Sequence, residues 1–161
     1  MRTLSILASL AFFTLFWLLV ANEGSPAQVL LGIVLGAAML WVRARFGAAS
    51  LPLHRPGVAL QLAALFLVDI VVANFAVARA VLAPSLPIRP RFLEVPLDLR
   101  EPNAAALLAG MVTLTPGTVS VDLDLDARVL TVHALLAEDE AAAVNGIKQR
   151  YEARIREIFQ C

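Results

Sequence analysis

Between Leu4 and Ala21 the chain carries no charged residue, and after a short turn a second uncharged run extends from Ala27 to Val42. Two such runs so close together constrain the fold more than any other feature. A helix that is apolar all round must be buried, and a bilayer with a hydrocarbon core of roughly 30 Å takes two of them side by side. The first run holds Phe12, Phe13, Phe16 and Trp17. A cleaved signal peptide is the rival reading, with Arg2 as its basic start and Leu4–Val20 as its apolar stretch. The length of the run and the second apolar segment favour an uncleaved anchor. Asn22-Glu23-Gly24-Ser25-Pro26 reads as a polar turn, with Pro26 placed to begin the next helix. Gly32 and Gly36 share one face, suited to close packing against a partner or the first helix, although glycines are also common in membrane helices generally.

The composition agrees. The chain is 161 residues, 60% hydrophobic and only 16% charged, which allows one small domain plus a membrane anchor. Lys+Arg and Asp+Glu are equal at 13 each, so the distribution of charge carries the information rather than its sum. The single cysteine, Cys161, permits no internal disulfide and no cysteine metal cluster.

A third apolar segment, Val58 to Leu82, follows a basic connection containing Arg43, Arg45, His54 and Arg55, interrupted by Gly47, Pro52, Pro56 and Gly57. It carries Gln61, Asp69, Asn74 and Arg79, so insertion is favoured only narrowly. The positive-inside rule puts Arg43, Arg45 and Arg55 in the cytoplasm, and Arg79, Arg89, Arg91 and Arg100 as well. Both flanks cannot be cytoplasmic if the segment crosses once. Either it lies in or dips into the membrane, or it crosses and the earlier connection is outside. Asp69 invites a proton-carrier reading; a polar contact holding the helix to a neighbouring subunit is preferred, because a relay needs several acids in sequence. Arg79 reads as a snorkelling interface residue.

Pro84, Pro87 and Pro90 with Arg89 and Arg91 suggest an extended linker. Phe92–Leu99 fits a strand, with Pro96 arguing for an edge position. Glu101-Pro102-Asn103 opens an apolar helix through about Met111, too short to span and best buried on a sheet. Two strands follow. Val119, Val121, Leu123 and Leu125 alternate with Ser120, Asp122, Asp124 and Asp126; Asp126-Ala127-Arg128 turns the chain; Val129–Leu135 runs back. Thr115-Pro116-Gly117-Thr118 is expected to be a tight corner, with Gly117 at positive φ. Glu138 to Gln160 is an amphipathic helix whose inward stripe is Val144, Ile147, Tyr151, Ile155 and Ile158, with Lys148, Arg150, Glu152, Arg154, Arg156 and Glu157 opposite. Glu138, Asp139 and Glu140 suit its positive end.

This predicts a membrane protein: N-terminal transmembrane α-helices, about 4–21 and 27–42 with a less certain third at 58–82, then a small two-layer α/β domain, β-α-β-β-α, over 83–161. No catalytic set can be named. Asp122, Asp124 and Asp126 are a solvated strand face rather than a cation site, since a strand spreads ligands apart. His133 lacks a nucleophile with an orienting acid at any recognisable spacing and reads as a packed or interfacial histidine. The Thr-Pro-Gly-Thr corner lacks the lysine and spacing of a phosphate loop and reads as structural. No cofactor, no metal and no nucleic acid are implied.

The run Thr113-Leu114-Thr115-Pro116-Gly117-Thr118, then Val119-x-Val121-Asp122 and Leu130-x-Val132-His133-Ala134, resembles the E subunit of multisubunit Mrp/Mnh-type cation/proton antiporters. The likeness extends over the whole chain, from the hydrophobic hairpin to the charged closing helix. It implies an accessory, non-catalytic subunit in the cell membrane, multi-pass, with a cytoplasmic C-terminal domain and with other integral-membrane subunits and the lipid bilayer as partners. Asp69, Arg79, Thr113, Thr115, Pro116, Gly117, Thr118 and His133 are then the structural or interface candidates. The alternative is a membrane-tethered binding or signalling module acting without a transporter.

Overall fold

The computed structural model describes residues 2–45, 52–83, 89–137 and 139–161. The expected linker through Pro84 and Pro87, the connection around Gly47, and Glu138 lie outside the described residues. The chain divides into two compact units, Met1–Ser50 and Leu51–Cys161. The third apolar helix therefore belongs with the α/β elements rather than with the N-terminal hairpin.

The first unit is two helices, α1 (Arg2–Ala21) and α2 (Pro26–Arg45). Gly32 and Gly36 are buried where α1 crosses. A Cβ on Gly32 would meet Thr14 and Trp17 at 3.2 Å, and one on Gly36 would meet Leu10 at 3.0 Å. The glycines therefore serve close packing on the first helix, where small residues let two backbones approach. At the turn the Trp17 indole N–H donates to Gln28 Oε1 at 3.0 Å, satisfying a polar group that hydrocarbon would leave orphaned.

The second unit begins with α3 (Pro56–Leu82), with Pro56 in its first turn, where a missing N–H costs nothing. Strand β1 (Arg91–Pro96), helix α4 (Pro102–Leu114), strand β2 (Thr118–Asp124) and strand β3 (Val129–Ala134) follow. Helix α5 (Glu140–Ile147), a π-helical turn (Lys148–Glu152) and helix α6 (Ala153–Phe159) close the chain. The three strands are antiparallel in the order β1-β3-β2, so Pro96 sits at the end of an edge strand as its missing donor requires. Glu101 caps α4 by accepting from the N–H groups of Asn103 (2.6 Å) and Ala104 (3.2 Å), and Asp139 caps α5 through Ala142 (3.2 Å). Helix α4 runs to Leu114, three residues beyond the expected Met111.

One sheet face packs on the helices. Leu93, Val95, Leu130 and Val132 from the strands meet Ala104, Leu108 and Val112 of α4 and Ile155 and Ile158 of α6. Two features depart from the sequence reading. The expected alternation of β2 breaks at Val121, an extra residue between Ser120↔Val132 and Asp122↔Thr131. This bulge reverses the parity of the strand: Val119 and Val121 are exposed while Leu123 is packed on the core. Ser120 turns inward instead, its hydroxyl donating to the Ala109 carbonyl of α4 at 2.8 Å. In the closing helix, Ile147, Tyr151, Ile155 and Ile158 are buried as the stripe requires, but so is Glu152, at 1% exposure. The π turn adds a residue to that turn of helix and rotates Glu152 off the solvated face where the α-helical period puts it.

Candidate functional site

Asp69 sits midway along an apolar helix, where a carboxylate without a partner is costly. The same chain supplies partners for it. Arg150, in the π turn, forms a two-pronged pair with it: Nε reaches Oδ2 at 3.2 Å, and Nη2 pairs with Oδ1. The Tyr151 hydroxyl donates to Asp69 Oδ2 at 2.8 Å. Both carboxylate oxygens are thus engaged by a fork and a phenol from one turn of helix. The Tyr151 ring stands edge-on to Phe66 of α3, with centroids 6.1 Å apart. Burial, then the hydrogen bond and charge of Asp69, pushes the Tyr151 phenol up to about 12, an effect that the Thr115 hydroxyl tempers. Arg150 is raised by its hydrogen bond to Asp69.

Thr115 belongs to the corner between α4 and β2, and that corner is a hydrogen-bonded staple. The Thr115 hydroxyl donates to the Met111 carbonyl at 3.0 Å. The Thr118 hydroxyl lies 2.7 Å from the Val112 carbonyl and 3.0 Å from that of Thr115. Thr113 accepts from the Ser120 N–H at 3.1 Å. Gly117, following Pro116, takes φ +86°, and a Cβ there would come within 3.1 Å of Val77 of α3. Together, the corner, Tyr151, Arg150 and Asp69 hold α3 against the α/β elements.

A second polar cluster lies at the exit of β1. The buried Glu152 accepts from the N–H groups of Asp98 at 2.6 Å and Leu99 at 3.2 Å. Lys148 reaches Glu152 at 2.8 Å, Asp98 at 3.0 Å and the Pro96 carbonyl at 2.6 Å. Burial pulls the Lys148 ammonium down, but Glu152 and Asp98 outweigh it and the net shift is upward. The hydrogen bond and charge of Lys148 hold the Asp98 carboxyl below its ordinary range.

The remaining candidates stand apart. His133 packs on Phe92, ring centroids 5.1 Å apart, on the outer sheet face beside Val119. Arg79 is exposed in the last turn of α3. Asp124 spends one carboxylate oxygen capping its own turn, accepting from Asp126 and Ala127 at 2.9 and 2.7 Å. No group of three or more His, Cys, Asp or Glu side chains suited to a metal ion occurs among the described residues. An open groove of about 490 Å³ between α4 and β2 is lined by Ala109, Gly110, Thr113, Leu114 and residues 120–123. Sequence reasoning missed Arg150 and Tyr151 as partners of Asp69, and put the buried Glu152 on the solvated face of the closing helix. The Lys148–Glu152 spacing of four was the one local signal available for the latter.

The family described as Na+/H+ ion antiporter subunit matches residues 10–158. The E-type Na(+)/H(+) antiporter subunit of Bacillus subtilis (strain 168) is 30% identical over 147 residues, covering 91% of this chain and 93% of that protein. The probable K(+)/H(+) antiporter subunit of the same E type from Rhizobium meliloti (strain 1021) is 35% identical over 151 residues, 91% of each chain. Among solved structures, a chain of the membrane-bound sulfane sulfur reductase (MBS), an archaeal respiratory membrane complex, superposes with a TM-score of 0.67. It is 28% identical, covering 96% of this chain and 98% of that one.

Proposed function

We propose that this chain, which belongs to the family of Na+/H+ ion antiporter subunits, is an accessory, non-catalytic subunit that helps a multisubunit cation/proton antiporter assemble and work in the cell membrane. Its partners are the complex's other integral-membrane subunits and the bilayer. Residues 1–82 form the membrane region and 83–161 a cytoplasmic α/β domain, a sidedness supported by Arg79 at the end of the last apolar segment and by Arg89, Arg91 and Arg100 after it. Relatives named for Na+ and for K+ fit a subunit that does not itself choose the cation.

One observation carries the reading. Asp69 is the sole acid in the three apolar helices α1, α2 and α3, and both its oxygens are held by Arg150 and Tyr151. A proton carrier must exchange its proton with groups on both sides. An acid clamped by its own chain is a fastener instead. The test is antiport in everted vesicles, expressed per assembled complex. Asp69→Asn keeps the shape and some of the hydrogen bonding, and antiport is expected to stay within about twofold of wild type. Normal assembly with antiport abolished refutes the accessory role. Purification of the chain alone, without multi-span subunits, refutes the antiporter assignment.

A further inference from the structure

Helix α3 has the length and hydropathy of a membrane span, yet it packs like a helix laid along a protein. Val58, Leu62, Phe66, Asp69, Val77 and Ala80, spaced by four, four, three, eight and three, are among the positions turned from solvent. Contacts with the α/β elements run nearly its whole length. At the start, the His54 N–H donates to the Ile158 carbonyl at 3.0 Å and Arg55 pairs with Glu157 at 2.6 Å. Phe66 and Asp69 meet Tyr151 and Arg150 in the middle. Val77 lies against Gly117 towards the end.

From Arg55 to Val77 is about 33 Å at 1.5 Å per residue, longer than a hydrocarbon core of roughly 30 Å. A helix crossing the bilayer over that length would drag Arg150, Glu157 and the adjoining charged helix face into the hydrocarbon with it. The opposite face of α3 is no better suited to water: Leu60, Leu67, Val71 and Phe75 are more than half exposed. Of the polar residues on that side, Asn74 turns its amide back to the Ile70 carbonyl at 2.8 Å. The helix has no acid besides the inward Asp69, and cations stand at its ends, Arg55 before it and Arg79 in its last turn. An apolar face bounded by arginines suits the acyl boundary and anionic headgroups of a bilayer surface.

We propose that α3 does not cross the membrane but lies along its surface, outer face sunk among the lipids and inner face carrying the α/β domain. The chain then crosses twice, through α1 and α2, and the connection before α3 shares a side with the α/β domain. That arrangement removes the charge conflict, since Arg43, Arg45 and Arg55 occupy the same compartment as Arg89, Arg91 and Arg100. The inference rests on the membrane-subunit reading only in requiring a bilayer; it holds whichever side the domain faces.

The test uses the assembled complex with Cys161→Ser as background. Leu53→Cys and Asp126→Cys, both exposed positions, are treated with a membrane-impermeant maleimide in intact cells and in inside-out vesicles. Both are expected to react in the same preparation, at least tenfold more than in the other; reaction in opposite preparations overturns the proposal. Nitroxides at Leu60, Leu67, Val71 and Phe75 then report depth. One shared shallow depth with open access to oxygen supports a surface helix. Depth changing steadily along the series overturns it, and so does shielding from oxygen at all four positions, which identifies a protein partner on that face. Failure of the antiporter assignment itself would register at purification, before any labelling.

Discussion

Glu152 is the most consequential single side chain in the α/β unit, and replacing it gives a quantitative check on the packing around it. Its carboxylate is 1% exposed and accepts from two backbone N–H groups and the Lys148 ammonium. Glu152→Leu preserves bulk but leaves those donors facing a methyl group. Each orphaned buried donor costs about 1–3 kcal/mol, and breaking a buried ion pair costs about 3–5 kcal/mol. These figures overlap rather than add, and Lys148 keeps Asp98 and the Pro96 carbonyl, so the low end applies, about 3 kcal/mol. At 1.36 kcal/mol per factor of ten, that lowers the protection of globally exchanging amides on the order of 100-fold. Hydrogen exchange of the full chain in detergent, followed on peptides covering β3, reads it directly. Glu152→Gln retains an oxygen for the amides and should lose only about fivefold, since a net hydrogen bond is worth about 1 kcal/mol. Unchanged protection in Glu152→Leu, within threefold of wild type, would refute the argument.

Gly117→Val forces a β-branched residue to φ +86° and drives its Cβ against Val77; the strain of about 1–3 kcal/mol should lower recovery of the chain in the assembled complex, and undiminished assembly counts against the corner's role. The Asp98 carboxyl is held below its ordinary range by Lys148. A depressed folded pKa means the contribution is present at neutral pH and drains as pH falls through the folded value. Asp98→Asn should therefore soften the acid limb of a stability profile while leaving the shape near neutrality alone, and an unaltered acid limb would contradict the pairing.

Much of the architecture is legible in the residues because the cues are local. Pro102 and the acids at 138–140 mark helix starts, the one by its missing N–H and the others by their charge, and the Pro116-Gly117 pair demands a corner in any context. The bulge in β2 is not legible, because a period-two run looks the same whichever face is buried. What selects Ser120 over Val121 as the inward residue is an acceptor carbonyl on α4. The π turn is hidden for a similar reason, since Ile147, Tyr151, Ile155 and Ile158 also fit an unbroken α-helix. The partner of Asp69 is hidden by distance: Arg150 lies 81 positions along the chain, and nothing local to Asp69 names it. A lone acid in an apolar helix announces that a partner exists, but only the fold says which.

The π turn also fixes how this region can change length over time. Each residue added to or removed from a helix rotates everything beyond it by about 100°. Upstream of the turn, Ile147 is anchored in the core; downstream, Ile155 and Ile158 are. Between them, Arg150 and Tyr151 reach α3 while Glu152 reaches the exit of β1. Deleting one residue here would restore an ordinary helix and yet point either the isoleucines or the Asp69 clamp the wrong way. The segment from Ile147 to Ile155 is therefore closed to single-residue insertion and deletion, even where substitution is free.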